Sequence, residues 1–226
     1  RSSIDNPIYT RRGSQFTLSA QFTPPYSLFS KKDYKSLYES SSRADREELY
    51  RWIEYYKIKF KSRVYTPLNN SEKYTLVLMG RADFGLLGSY NKYKQTPFET
   101  FHVGGDGMTG SYTYATETIG LRGYDNGALT PYSDGRAYTR FSMELHFPFL
   151  LQPSSTIYGL AFVEGGNAWT SLENFNPFSL KRSAGVGVRI FLPMIGLMGI
   201  DWAYGFDKVQ GEKGGGHFHF ILGQEF

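Results

Sequence analysis

The chain has 226 residues, 40% hydrophobic and 20% charged, with a formal net charge of +4; this excludes a disordered tail and supplies no basic cluster for nucleic acid. With no cysteine, a disulfide framework, a thiol nucleophile and any Cys-ligated metal site are excluded. No run of about 18 apolar residues offers a transmembrane helix, whereas 18 Tyr, 18 Phe, 3 Trp and 25 Gly suit strands and turns.

The chain opens Arg1-Ser2-Ser3-Ile4-Asp5-Asn6, without Met, a basic n-region or an apolar h-region. It is therefore expected to be a processed chain or a piece of a longer one. Period-two alternation then recurs eight times. Segment 14–23 sets Phe16, Leu18, Ala20 and Phe22 on one face. A long insert, 24–54, follows; there Ser42-Arg43-Ala44-Asp45 resembles a capping box, with Leu49, Trp52 and Ile53 at helical spacing. This predicts one short surface helix. Segment 55–66 opposes Tyr56, Ile58, Phe60 and Val64 to Lys57, Lys59, Lys61 and Arg63. After a short turn at 67–71, segment 74–87 opposes Leu76, Leu78, Ala82, Phe84 and Leu86 to Thr75, Arg81 and Asp83.

A very long loop, 88–136, comes next. Segment 137–148 opposes Phe141, Met143, Leu145 and Phe147 to Arg140, Ser142, Glu144 and His146. A short link from Pro148 to Ser155 leads to segment 156–166, which alternates less cleanly and ends at Glu164-Gly165-Gly166. Beyond a loop at 170–182, segment 183–192 carries Ala184, Val186, Val188 and Ile190 opposite Ser183, Gly185, Gly187 and Arg189. A tight turn at 193–196 precedes segment 197–206, where Met198, Ile200, Trp202, Tyr204 and Phe206 oppose Gly199, Asp201, Ala203 and Gly205. A polar loop, 207–215, precedes the last segment, 216–226, with Phe218, Phe220, Leu222 and Phe226 on one face.

Strands of about ten residues match a tilted crossing of a bilayer. Their polar faces hold charges beside glycines, and their apolar faces are rich in aromatics. Both features predict an all-β, antiparallel transmembrane barrel with a wet or plugged lumen rather than a soluble sandwich. Lys57, Lys59, Lys61 and Arg63 then face the lumen. Long and short connections alternate, as in outer-membrane barrels, so the first strand is expected to run outward and the last to end at the periplasmic side.

Other motifs carry less. Gly105 to Gly110 formally fits G-x-G-x-x-G, but the Ser111-Tyr112-Thr113-Tyr114 that follows reads as extended, so loop glycines are the better account. His217 and His219 share a strand face, yet no third metal ligand is evident. No hydrolase or zinc-protease signature is present; no enzyme, cofactor or metal is expected. Leu121-Arg122-Gly123-Tyr124, inside the longest loop, is more informative. An arginine folded into a lumen needs a carboxylate, and Glu144 and Glu164 lie on the inward faces of the next two strands; all three are otherwise solvated.

Leu121–Tyr124, Ser142–Pro148, Phe162–Trp169, Ser183–Ile190 and the aromatic C-terminus, with Asn6–Gly13 and Tyr55–Phe60 before them, resemble in order the C-terminal half of the barrel in the BamA family of outer-membrane insertases. The resemblance covers essentially the whole chain. It implies a 16-stranded barrel of which residues 1–226 are the last half, with periplasmic POTRA domains and eight strands upstream. It implies that loop 88–136 folds into the lumen, where Arg122 of the Arg122-Gly123-Tyr124 motif meets Glu144 and Glu164. Tyr124 stands where many members have Phe. It also implies folding and insertion of outer-membrane proteins in the bacterial outer membrane, through a seam between first and last strands. Phe218, Phe220, Leu222 and Phe226 would then be both assembly signal and gate wall. The implied partners are the lipid bilayer, other subunits of the assembly machinery and unfolded clients. A secretion pore of the same superfamily, a passive porin and a soluble adhesin are the rival readings.

Overall fold

A computed structural model describes residues 1–30, 32–71, 74–107, 117–132, 134–152, 154–209 and 214–223. In chain order the strands are β1 (Gly13–Phe22), β2 (Tyr56–Pro67), β3 (Val77–Gly88), β4 (Phe101–Val103), β5 (Glu117–Ile119), β6 (Ala137–Gln152), β7 (Ser155–Trp169), β8 (Lys181–Leu192), β9 (Gly196–Gly205) and β10 (Gly216–Leu222). All but β4 and β5 form one antiparallel sheet in which each strand pairs with its chain neighbour; β1 and β10 are its edges. The short parallel pair β4–β5 lies within the longest connection.

The alternation is expressed as two faces. Lys57, Arg63, Asp83, Arg140, Glu144, Glu164, Arg189 and Asp201 are all buried on the face that the long loop covers, here called inner. Leu18, Val64, Met143, Val163, Ile200 and Phe220 stand exposed on the other. Two apolar clusters bracket the inner charges. Tyr9, Val77, Tyr158, Leu160, Phe162 and Ala203 form one; Leu87, Phe101, Val103, Ile119 and Tyr138 form the other. Tyr9, from the segment before β1, donates its hydroxyl to the Thr75 carbonyl at 2.7 Å and packs edge-on against Tyr158.

Several boundaries differ from the sequence-based expectation, each for a local reason. β3 starts at Val77, not 74, because the Asn69 side chain takes the backbone: its Oδ1 accepts from Leu76 N and its Nδ2 donates to the Tyr74 carbonyl, both at 2.9 Å. β6 runs through Pro148 to Gln152, with the register shift of a bulge between Pro148 and Leu150, a site that accepts proline's missing N–H. The expected link from Pro148 to Ser155 thus shrinks to residues 153–154. The insert 24–54 holds three short helices, α1 (Tyr26–Phe29), α2 (Tyr34–Glu39) and α3 (Arg43–Tyr50), rather than one. Ser42 does precede α3 but makes no side-chain cap; Ser40 Oγ bonds Asp45 instead, so the capping box does not form. Asp33 caps α2. Beyond Gly223 the expected strand, including Phe226, lies outside the described residues, as do residues 108–110 of the glycine motif and the 111–114 segment that follows it.

Leu18 and Lys59 lie on adjoining strands and opposite faces. In the membrane-inserted protein, cysteine at position 59 should react with a small water-soluble maleimide, while cysteine at 18 should be quenched by lipid-borne quenchers. Lipid quenching at 59 would invert the faces, since a lysine facing mid-membrane lipid costs about 2–4 kcal/mol.

Candidate functional site

The long loop reaches the inner face in two places, each matched in charge. At the first, Glu117 of β5 meets the basic stripe of β2. Its carboxylate lies 2.8 Å from Lys59 Nζ, 3.2 Å from Lys57 Nζ and 3.9 Å from Lys61 Nζ. Lys57 also lies 3.4 Å from Glu99 and 4.9 Å above the Phe101 ring. Arg63, next on that stripe, is buried on the same face. Burial opposes the ionisation of Glu117, but the Lys59 hydrogen bond and the Lys57 charge outweigh it and hold the carboxyl below its ordinary range.

At the second place Arg122 enters the sheet's acidic half. Backbone pairing of Leu121 with Gly105, at 3.0 and 3.1 Å, closes the loop just ahead of it. Arg122 is 4% exposed. Its Nε donates to Glu164 of β7 at 2.7 Å, and its Nη1 to Asp201 of β9 at 3.1 Å. Its Nη2 donates to Glu144 and, at 3.3 Å, to Ser142 Oγ, both of β6. Phe162 lies flat beneath, 3.5 Å from Cζ to ring centre. Arg140 also donates to Glu164, Arg189 donates to both Asp201 oxygens, and His146 Nε2 lies 2.8 Å from Glu144. Three guanidinium groups thus face three carboxylates. A buried charge left without a partner is far costlier than the matched set, and the planar donor fork of arginine suits several acids at once.

The rest of the motif is fixed as tightly. Gly123 sits at φ +86°, and a Cβ there would fall 2.7 Å from Ser183 Cβ and 3.0 Å from Gly205 N, so only glycine lets the loop lie on β8 and β9. Tyr124 is buried and donates its hydroxyl to the Arg182 carbonyl at 2.7 Å.

The structure therefore brings Arg122 together with Glu144 and Glu164. Lys57, Lys59 and Lys61 gather at the separate Glu117 site. Phe218, Phe220 and Leu222 stand on the opposite, outer face of β10. Sequence reasoning missed Asp201, Arg140 and Arg189 as members of the cluster. The signal was there: Asp201 stands alone among Gly199, Ala203 and Gly205, and the small neighbours leave space. A Cβ on Gly187 would fall 1.8 Å from Asp201 Oδ1. His217 and His219 meet loop groups, Asp125 and the Gly123 amide.

An open antiparallel sheet with an apolar, aromatic outer face and a loop-filled, charged inner face is half of a transmembrane β-barrel. The model of the Omp85 superfamily domain matches residues 1–226, and the chain belongs to that superfamily. Among solved structures, BamA from Haemophilus ducreyi lacking POTRA domains 1-3 has the same fold, with a TM-score of 0.65 at 19% identity over 96% of this chain. The chain spans 39% of the length of that protein.

Two outcomes test the docking. Arg122→Ala strands buried carboxylates and should cost about 3–5 kcal/mol, read as protease cleavage within 88–136 and lost heat-modifiability; Arg122→Lys, a point charge without the fork, should be impaired too. Because the Glu117 carboxyl is lowered in the folded state, its contribution is present above an unfolded value of about 4.3 and is lost as pH falls through the lower folded value. Loop cleavage should accordingly rise on acidification below about pH 4, and Glu117→Gln should flatten that dependence.

Proposed function

We propose that the chain is the C-terminal half of the 16-stranded barrel of an outer-membrane insertase, which folds and inserts β-barrel proteins into the bacterial outer membrane. The observation that carries this reading is the Omp85 superfamily match over residues 1–226 together with β10, whose side chains Phe218, Phe220 and Leu222 form an exposed apolar outer face suited to lipid. An edge of unpaired N–H and C=O groups templates another strand. In a closed barrel the seam between first and last strands is held only by ladder bonds and side-chain contacts, each net worth about 0.5–1.5 kcal/mol. A client strand that replaces those bonds one for one enters with little net cost, and no ATP, cofactor or covalent step is required. The Arg122 cluster supports the reading by holding β6, β7 and β9 as a firm wall behind the moving edge. The partners on this reading are the lipid bilayer, other assembly-machinery subunits and unfolded clients.

The test uses the full-length protein in its membrane. A disulfide between the first and last barrel strands should leave the barrel folded, stop client insertion, and release it on reduction. A locked barrel that inserts clients at the normal rate would overturn the lateral route. Secretion or steady conductance persisting through the locked barrel would favour a secretion pore or a porin.

A further inference from the structure

We propose that His219 is a latch that holds the edge strand β10 to the Arg122 loop, so that the freedom of the edge is set from inside the barrel. The bond itself is independent of function; its role as a gate control rests on the insertase reading above.

Among the described residues β10 is seven residues long and ladders with β9, and a terminal strand of a sheet opens more readily than an interior one. Its outer side chains, Phe218, Phe220 and Leu222, need only lipid. Its inner face carries His217 and His219 in place of the charges or glycines found on β8 and β9. His219 is 4% exposed, and its Nε2 accepts from the Gly123 backbone N–H at 2.8 Å. An accepting Nε2 carries no proton, so the ring is neutral with its hydrogen on Nδ1. The donor is firmly placed, because Gly123 is wedged against Ser183 and Gly205 and its neighbour Arg122 is bound to β6, β7 and β9. A single buried bond therefore ties the outermost strand to a group that spans four others. A second contact, His217 Nδ1 to Asp125 Oδ1 at 3.1 Å, lies at the surface, where Asp125 is 78% exposed, and contributes little.

The latch has a chemical condition. A second proton on His219 turns Nε2 from acceptor to donor, facing another donor, and the bond is lost. The groups around the ring are Asp106 and Arg122 from the loop, Asp201 from β9, and His217 from its own strand. Asp201 already receives Arg122 and Arg189.

The experiment follows amide hydrogen exchange in β10 of the full-length protein in lipid nanodiscs, as protection relative to intrinsic rates. His219→Phe fills the space without an acceptor; His219→Gln offers an amide oxygen near the Nε2 position. At about pH 7.5, His219→Phe should exchange roughly five- to tenfold faster than wild type, and His219→Gln should match wild type. Lowering the pH well below the ordinary imidazole value of about 6.5 should raise exchange in wild type but not in His219→Gln. Equal protection in wild type and His219→Phe, or a wild-type pH profile shared by His219→Gln, would overturn the latch. The wild-type and His219→Gln profiles decide the matter even if His219→Phe does not fold. Client insertion is measured separately: faster exchange in His219→Phe with unchanged insertion upholds the latch and overturns the insertase role of the edge.

Discussion

Charge placed on the inner wall must be neutralised within it, and that constraint organises the molecule. The wall is divided: β2 presents lysines, while β6, β7 and β9 present carboxylates. The loop is divided in the complementary sense, bringing Glu117 to the first and Arg122 to the second. Apolar clusters on either side limit access of water and raise the local strength of each ion pair. The same shielding makes a missing partner expensive, so loop and wall are specified together. Neither half of the charge pattern is stable in that environment alone.

Room for the loop comes from what the wall lacks. On β8 and β9 the inner positions Gly185, Gly187, Gly199, Ala203 and Gly205 leave a shallow trough. Asp201, Arg189, Phe162 and the Gly123 backbone occupy it at distances that a methyl group would block. Glycine weakens a strand in isolation, and here that loss is offset by the close approach of charged groups. On the outer face the same strands carry Val186, Val188, Ile200 and Trp202, which restore strand propensity where lipid is the neighbour.

The face of each long strand was legible because a period of two assigns every side chain once the strand is recognised. Arg122 and two of its acids were legible for the same reason, since a loop arginine has to find carboxylates on inward positions. Asp201 was not: 79 residues separate it from Arg122, and nothing local says which acid a loop will reach. The bounds of β3 and β6 escaped because side-chain bonds from Asn69 and a bulge near Pro148 decide them. Helices α1 and α2 escaped because they are only four and six residues long, too short to show a helical period; Glu54, fully buried, accepts from the Ser27 amide at 2.8 Å to fix the first.

The partners of Arg122 lie at growing distances along the chain: Ser142 and Glu144 at 20 and 22 residues, Glu164 at 42, Asp201 at 79. Gly123 reaches His219 at 96. Loop-closure entropy rises only slowly with length, and each partner, once engaged, shortens the effective closure for the next. The arginine is therefore one point at which β6, β7 and β9 meet, with β10 joined to it through the neighbouring Gly123. Contacts of high contact order, the kind that is slow to form by random search, thus converge on one fixed point.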